Sequence, residues 1–144
     1  MSATVQTGSG YFFMPEHIIL VGASERPHSL GERIFSHLLG SSYQGKITPV
    51  NLRHSSVAGI PSYSSLSKIP GQADLVVAVI PPDHYDSLFK ACRKKDLHHI
   101  ILIQDWENLP PESCKNARSI IQKHHGDELN ITVCNSAGIQ LPSL

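Results

Sequence analysis

Five short apolar runs punctuate the chain: "HIILV" at 17–21, "KITPV" at 46–50, "DLVVAVI" at 74–80, "HIILI" at 99–103 and "NITVC" at 130–134. They are rich in β-branched residues and continuous rather than alternating, the pattern of strands buried on both faces of a parallel sheet. Between most of them the apolar positions fall at helical spacing instead. "GERIFSHLLG" puts Ile34, Phe35, Leu38 and Leu39 on one side and ends on Gly40, a helix stop. "PDHYDSLFKACRKKD" spaces Tyr85, Leu88, Phe89 and Cys92 in the same way, with acids first and bases last, as the helix dipole favours. "PESCKNARSIIQKHHG" opens with Pro and Glu and closes with Lys, His, His and Gly, which are start and stop signals. Residues 51–73 break the pattern with Pro, Gly and Ser, and predict a loop with one short helical turn near 64–68.

Strands alternating with helices predict an α/β fold: a Rossmann-like, doubly wound parallel sheet of about five strands with helices on both faces. The expected strand order is 3-2-1-4-5, with a ligand site at the carboxyl ends of strands 1 and 4. Residues 1–14 begin with small polar residues and are expected as a flexible N-terminal tail. Residues 15–144 are expected as one domain, with no repeat and no internal boundary.

Composition narrows the function classes. A chain of 144 residues can bury a core without disulfides or metal. Twelve basic residues balance twelve acidic ones, so nothing favours nucleic acid or an anionic membrane as partner. No apolar run approaches the roughly 20 residues of a membrane span. Nor does the start of the chain look like a signal peptide. Three cysteines without a CxxC argue against a disulfide scaffold or a zinc ribbon, and a cytoplasmic setting is expected. Cys92 and Cys114 are expected as packed small hydrophobes, and Cys134 at the end of the fifth strand. The histidine pairs His98-His99 and His124-His125 are adjacent, so their rings diverge; they are expected as solvated or helix-end residues, and no metal site is assigned.

Candidate chemistry concentrates after the first strand, in "GASERPHSLG" at 22–31. Neither GxxxxGK[ST] nor GxGxxG is present. Backbone N–H groups and the Ser24 hydroxyl before a helix can still hold a phosphate, and a plain strand-to-helix link explains the turn equally well. At the end of the second strand a nicotinamide domain carries an acid for the ribose. Here "PVNLRHSS" places Asn51, Arg53 and His54 there instead. That end suits an extra phosphate, as on NADP or on the 3′ position of coenzyme A.

Four pieces, "IILVGASERPHSLGERIFSHLL", "YQGKITPVNLRHSSVAGIPSYSSLSKIP", "ADLVVAVIPP" and "NSAGI", together resemble the coenzyme A-binding domain that opens NDP-forming acyl-CoA synthetases. The α-subunit of succinyl-CoA synthetase and related bacterial lysine acetyltransferases share it. The resemblance covers about residues 16–140. It implies that Gly22, Ala23 and Ser24 meet the coenzyme's phosphates and that Pro27 shapes their turn. It places Asn51 and Arg53 near the ribose phosphate. Val79, Ile80, Pro81 and Pro82 would line the floor, and Asn135 and Ser136 the thiol end. The family often carries Lys where this chain has Ser29, a charge that Arg26 would replace. After the fourth strand a small turn is usual, whereas this chain has Gln104, Asp105 and Trp106, which would narrow the thiol end. Trp106 itself is expected at an exposed or interfacial place.

The expected ligand is coenzyme A or an acyl-CoA. No catalytic residue is assigned, and the chain is expected to be a binding domain that works with a partner domain or subunit of a ligase or acetyltransferase. A homo-oligomer is compatible with the sequence. Two alternatives stand beside this reading: an NADP(H)-binding redox enzyme or sensor, and a regulatory module of the same fold that has lost its ligand.

Overall fold

A computed structural model of the chain describes residues 3–7, 10–126 and 128–136. It opens with β1 (Ala3–Thr7) and β2 (Gly10–Met14), an antiparallel hairpin apart from the main sheet. The β-branched and aromatic residues of "TVQT" and "YFFM" favour extended backbone.

The five apolar runs form one parallel sheet. Its strands are β3 (His17–Val21), β4 (Lys46–Val50), β7 (Leu75–Ala78), β8 (His99–Gln104) and β9 (Asn130–Asn135), in the order β4-β3-β7-β8-β9. Between β4 and β7 lie a small hairpin, β5 (Ser56–Val57) and β6 (Ile60–Pro61), and a 3-10 turn at Leu66–Lys68. The hairpin was not legible in a segment read as loop.

Directly after the hairpin, Tyr63 makes one parallel bridge to Val50. Its N–H donates to the Pro49 carbonyl at 3.1 Å, and its carbonyl accepts from Asn51 N–H at 2.9 Å. This segment is a rudimentary strand on the outer edge of β4. Counted third along the chain, it completes the 3-2-1-4-5 arrangement, with β9 in a sixth place. The strand counted third from sequence, 74–80, is therefore the fourth. It pairs with β3, and the point where strand order reverses lies between β3 and β7.

Side chains alternate across the sheet and meet different helices. Ile18, Leu20, Leu75 and Val77 pack against Ile34, Phe35 and Leu38 of α1 (Leu30–Gly40). Ile19, Val76, Ala78, Ile100 and Leu102 pack on the other face, against Leu88, Phe89 and Cys92 of α2 (Tyr85–Lys94) and Ala117 of α3 (Pro111–His124). The change of face between α1 and α2 follows from right-handed crossovers that run in opposite directions from β3 and from β7. It leaves a crevice at the carboxyl ends of those two strands.

Two histidines are buried. His17 donates from Nδ1 to the Gln72 carbonyl at 2.9 Å, and its Nε2 meets the Thr48 hydroxyl at 2.7 Å. His124 sits in the last turn of α3 with its ring against Phe89, centroids 5.2 Å apart. Among the described residues no group of His, Cys, Asp or Glu is placed to hold a metal, and no helix is long and apolar enough to cross a membrane.

Candidate functional site

β3 runs into Gly22 with φ at +93°, a conformation that disfavours any side chain. A Cβ there would also stand 2.1 Å from the carbonyl oxygen of Val79, just past β7. On the other side Gly31, in the first turn of α1, would bring a Cβ within 2.1 Å of the Gly22 carbonyl oxygen. The two glycines thus do what the first and last glycines of a dinucleotide fingerprint do: one allows the tight turn, the other the close approach of helix to strand. The fingerprint spacing is absent because residues 25–29 loop out before α1 begins.

That loop is tied internally. Ser24 Oγ accepts from Arg26 N–H at 2.9 Å. Ser29 has extended backbone and caps α1: its Oγ accepts from Glu32 N–H at 3.2 Å and donates to the Arg26 carbonyl at 2.7 Å. The Glu25 carboxylate accepts from the N–H of Ala58, in the β5–β6 turn where Ala58 and Gly59 both have positive φ.

Asn51, the first residue after β4, joins this loop to the next one. Its Nδ2 donates to the Ala23 carbonyl at 2.9 Å. Its Oδ1 accepts from Arg53 N–H at 2.8 Å and His54 N–H at 3.0 Å. The side chain expected near the ribose phosphate ties these two loops together.

Between these loops lies a cavity of about 780 Å³, within the range of small-molecule sites. One wall is the turn from Gly22 to Arg26. A second is Val50 to His54, and a third is Ser64 to Leu66, at the start of the 3-10 turn. Ile80 and Pro81 form the floor. His84, Ser87, Leu88 and Ala91 form the last wall; their spacing of three, four and seven residues presents one face of α2 and the turn before it.

Of the residues expected in the site, Gly22, Ala23, Ser24, Arg26, Asn51, Arg53, Ile80 and Pro81 line this cavity. Pro27, Ser29, Val79, Pro82, Asn135 and Ser136 do not. Ser29 is occupied as a helix cap. Val79 continues the β3–β7 pairing, its N–H donating to Val21 at 2.8 Å, and packs toward α1. Pro82 is buried at the start of the turn into α2. Asn135 ends β9, and Ser136 N–H donates to the Gln104 carbonyl at 2.8 Å, so both stand across β8 from the crevice.

Trp106 and Cys134 also lie outside the cavity lining. Trp106 is half-buried against the α2–α3 core, its Nε1 donating to the Cys134 carbonyl at 3.1 Å. The sulfhydryl of Cys114 donates to the Trp106 carbonyl at 3.6 Å. The indole is an anchor between β9 and α3, not a platform in the cavity.

Charge on the lining is uneven. Arg26 and Arg53 are exposed, and neither guanidinium pairs with another group among the described residues. His54 and His84 add two imidazoles. Glu25 is the one carboxylate among the described lining residues, and it is engaged by the Ala58 N–H. Leu52, Leu66, Ile80 and Leu88 give the rest an apolar character. The arrangement suits a ligand with anionic groups at one end and a flat apolar part at the other. Leu66, His84, Ser87, Leu88 and Ala91 were not foreseen. The signal was present in α2, whose apolar stripe continues in Ala91 beyond what a core contact needs.

Residues 16–140 match a family profile described as "CoA binding domain". The chain is 31% identical over 131 residues to the α-subunit of ADP-forming acetate–CoA ligase II of Pyrococcus furiosus. That match takes in 90% of this chain and 28% of the relative, so the chain spans little more than a quarter of its length. Among solved structures, PH0766 of Pyrococcus horikoshii superposes with a TM-score of 0.67 at 27% identity, over 87% of this chain and 28% of that one. A conserved hypothetical protein of Pyrococcus furiosus shares the fold at a TM-score of 0.63 and 24% identity, over 82% of this chain and 92% of its own.

Proposed function

We propose, from the premise that this chain belongs to the CoA-binding domain family, that its cavity holds coenzyme A or an acyl-CoA by the nucleotide end. The observation that carries the reading is the meeting, in one cavity, of the Gly22–Ser24 turn with two guanidinium groups that have no partner among the described residues and an apolar wall. Backbone N–H groups of the turn, with Arg26 beside them, face the pyrophosphate. Arg53, after β4, takes the ribose 3′-phosphate where a nicotinamide domain would carry an acid. Leu66, Ile80, Leu88 and Ala91 shelter the base.

The chain's role is then to present the coenzyme to chemistry carried elsewhere. Its similarity to an acetate–CoA ligase subunit several times its length supports a working partnership with further domains or subunits of an NDP-forming ligase, or of a CoA-dependent acetyltransferase. Calorimetric titration tests the reading, with CoA, acetyl-CoA and NADPH run in parallel. Saturable heat with CoA or acetyl-CoA, and little with NADPH, is the expected result. Binding of NADPH alone would replace this reading with a redox one. Silence toward all three at millimolar ligand would leave a module of this fold without its ligand.

A further inference from the structure

The main sheet ends differently on its two sides. The outer edge of β4 is covered by the Tyr63 bridge to Val50. Beyond β9 lies no strand of the described residues. The N–H groups of Asn130 and Ser136 donate inward, to the His98 and Gln104 carbonyls at 2.7 and 2.8 Å. Backbone groups alternate in direction along a strand, so Ile131, Val133 and Asn135 turn theirs outward. The Ile131 N–H is met by Nδ1 of His125 at 3.0 Å. That ring closes the amino end of the edge and leaves Val133 at the centre of the open stretch.

The open stretch lacks the devices that keep sheet edges apart. β9 reads Asn-Ile-Thr-Val-Cys-Asn, without charge, proline or glycine, and its register with β8 runs through without a bulge. It is exposed on both faces: Thr132 on the α1 face with Cys134, and Val133, 46% exposed, on the face of Ile131. A lone apolar residue on a surface is ordinary. This one stands on a backbone donor and acceptor that both face out.

We propose that this edge pairs antiparallel with β9 of a second copy of the chain, Val133 opposite Val133 across a two-fold axis. A second copy fits because the groups at the centre are reciprocal. Each Val133 N–H donates to the other Val133 carbonyl, as a contact between identical surfaces requires. The same register sets valine against valine on one face and Thr132 against Cys134 of the second copy on the other. Such β-branched and small side chains suit cross-strand pairing, and no like charges meet along the strand. The sheet then continues from one copy into the next. The crevice between β3 and β7 stays open in both, because β8 and β9 separate it from the axis.

Position 132 tests the register. Residues 132 and 134 of opposite copies form a pair without hydrogen bonds, with Cα atoms about 4.5 Å apart, within the span of a disulfide. Thr132→Cys protein under oxidised glutathione is expected to give a disulfide-linked dimer, with mass mapping joining position 132 to Cys134 of the other copy. Adding Cys134→Ser should abolish that link. The parent should sediment as a dimer as its concentration rises. Val133→Lys, which sets two cations against each other on the axis, should sediment as a monomer, with CoA affinity and the melting temperature of dilute protein unchanged. A parent that stays monomeric at millimolar concentration, with no cross-link in Thr132→Cys, overturns the proposal. So does a dimer that Val133→Lys leaves intact, since the contact then lies elsewhere. Neither result touches the CoA reading.

Discussion

His124 and Asp86 lock α3 onto α2: Nε2 of the buried imidazole donates to the Asp86 carboxylate at 2.7 Å. Arg93 donates to Nδ1 of the same ring and, at 3.0 Å, to the His124 carbonyl, so the ring nitrogen facing Asp86 is the one that carries hydrogen. The hydrogen bond from His124, and then that from Lys90 at 2.9 Å, hold the Asp86 carboxyl at about 2, below its ordinary 3.8. A carboxyl lowered by folding stabilises the protein above its unfolded pKa, and that contribution disappears as pH falls through the folded value. The window here runs from about pH 4 down to about pH 2. Melting curves across it should show Asp86→Asn less stable than the parent at pH 5, with the gap closing toward pH 2. A gap of constant size would mean that the pair carries no pH-linked stability.

Gly31→Ala and Gly40→Ala separate two uses of glycine within one helix. A Cβ at 31 meets the Gly22 carbonyl oxygen at 2.1 Å, whereas at 40 nothing lies within 4 Å. The carbonyl cannot retreat without moving β3, so Gly31→Ala should cost about 2 kcal/mol or more, as overpacking does. It should also weaken CoA binding, since the displaced turn lines the cavity. Gly40→Ala, at the last residue of α1, should be neutral or stabilise by about 0.5 kcal/mol. Chemical denaturation of the two variants side by side decides it.

Much of this fold was legible because strands buried on both faces leave a strong mark: four of the five apolar runs begin where their strands begin. The strand order was harder. The outer neighbour of β4 is a single bridge at Tyr63, too short to leave any periodicity, so 74–80 was counted in its place. The order reversal, and with it the cavity, therefore lies beside β7 rather than β8. The turn at 22–26 was legible because its glycine demand is local. The wall made by Leu66, Leu88 and Ala91 was not, because it exists only once α2 is known to cross beside β3. Ser29 and Asn51 were noticed for their positions, while their hydrogen bonds to the protein's own backbone become visible only in the fold.

Ser29 illustrates that last point as an experiment. Its Oγ satisfies Glu32 N–H at the start of α1 and does not reach the cavity lining. Ser29→Ala should lower stability by about 1 kcal/mol, the usual value of an N-cap. CoA affinity should stay within about twofold of the parent, while Ser29→Asp, which keeps a capping oxygen, should restore most of the stability. A tenfold loss of affinity in Ser29→Ala, with melting unchanged, would instead make the hydroxyl a ligand contact.

Cys92 is fully buried in α2, and burial pushes its thiol up to about 12. Thiolate is the reactive form, so this residue should resist a disulfide reagent at pH 8 until the protein unfolds. Titration of the native protein should therefore leave one of the three cysteines unmodified, and mass mapping should identify it as Cys92.

Arg53 offers the sharpest separation of the ligand readings. Its guanidinium is exposed and has no partner among the described residues, so Arg53→Gln should leave the melting temperature unchanged. If it meets the 3′-phosphate, the variant should bind CoA about tenfold more weakly, the scale of a charge-assisted hydrogen bond. It should bind 3′-dephospho-CoA as the parent does, so that the parent's preference for CoA falls to near unity. Arg26→Gln makes the contrast, because a cation beside the pyrophosphate turn should affect both ligands alike. Salt provides a further check: the parent's CoA affinity should fall more steeply with added KCl than that of Arg53→Gln, since the lost charge is a solvent-exposed one. Equal losses for CoA and its dephospho form in Arg53→Gln would move this residue to the pyrophosphate and leave the 3′-phosphate to His54, the next cation-forming side chain on the same turn.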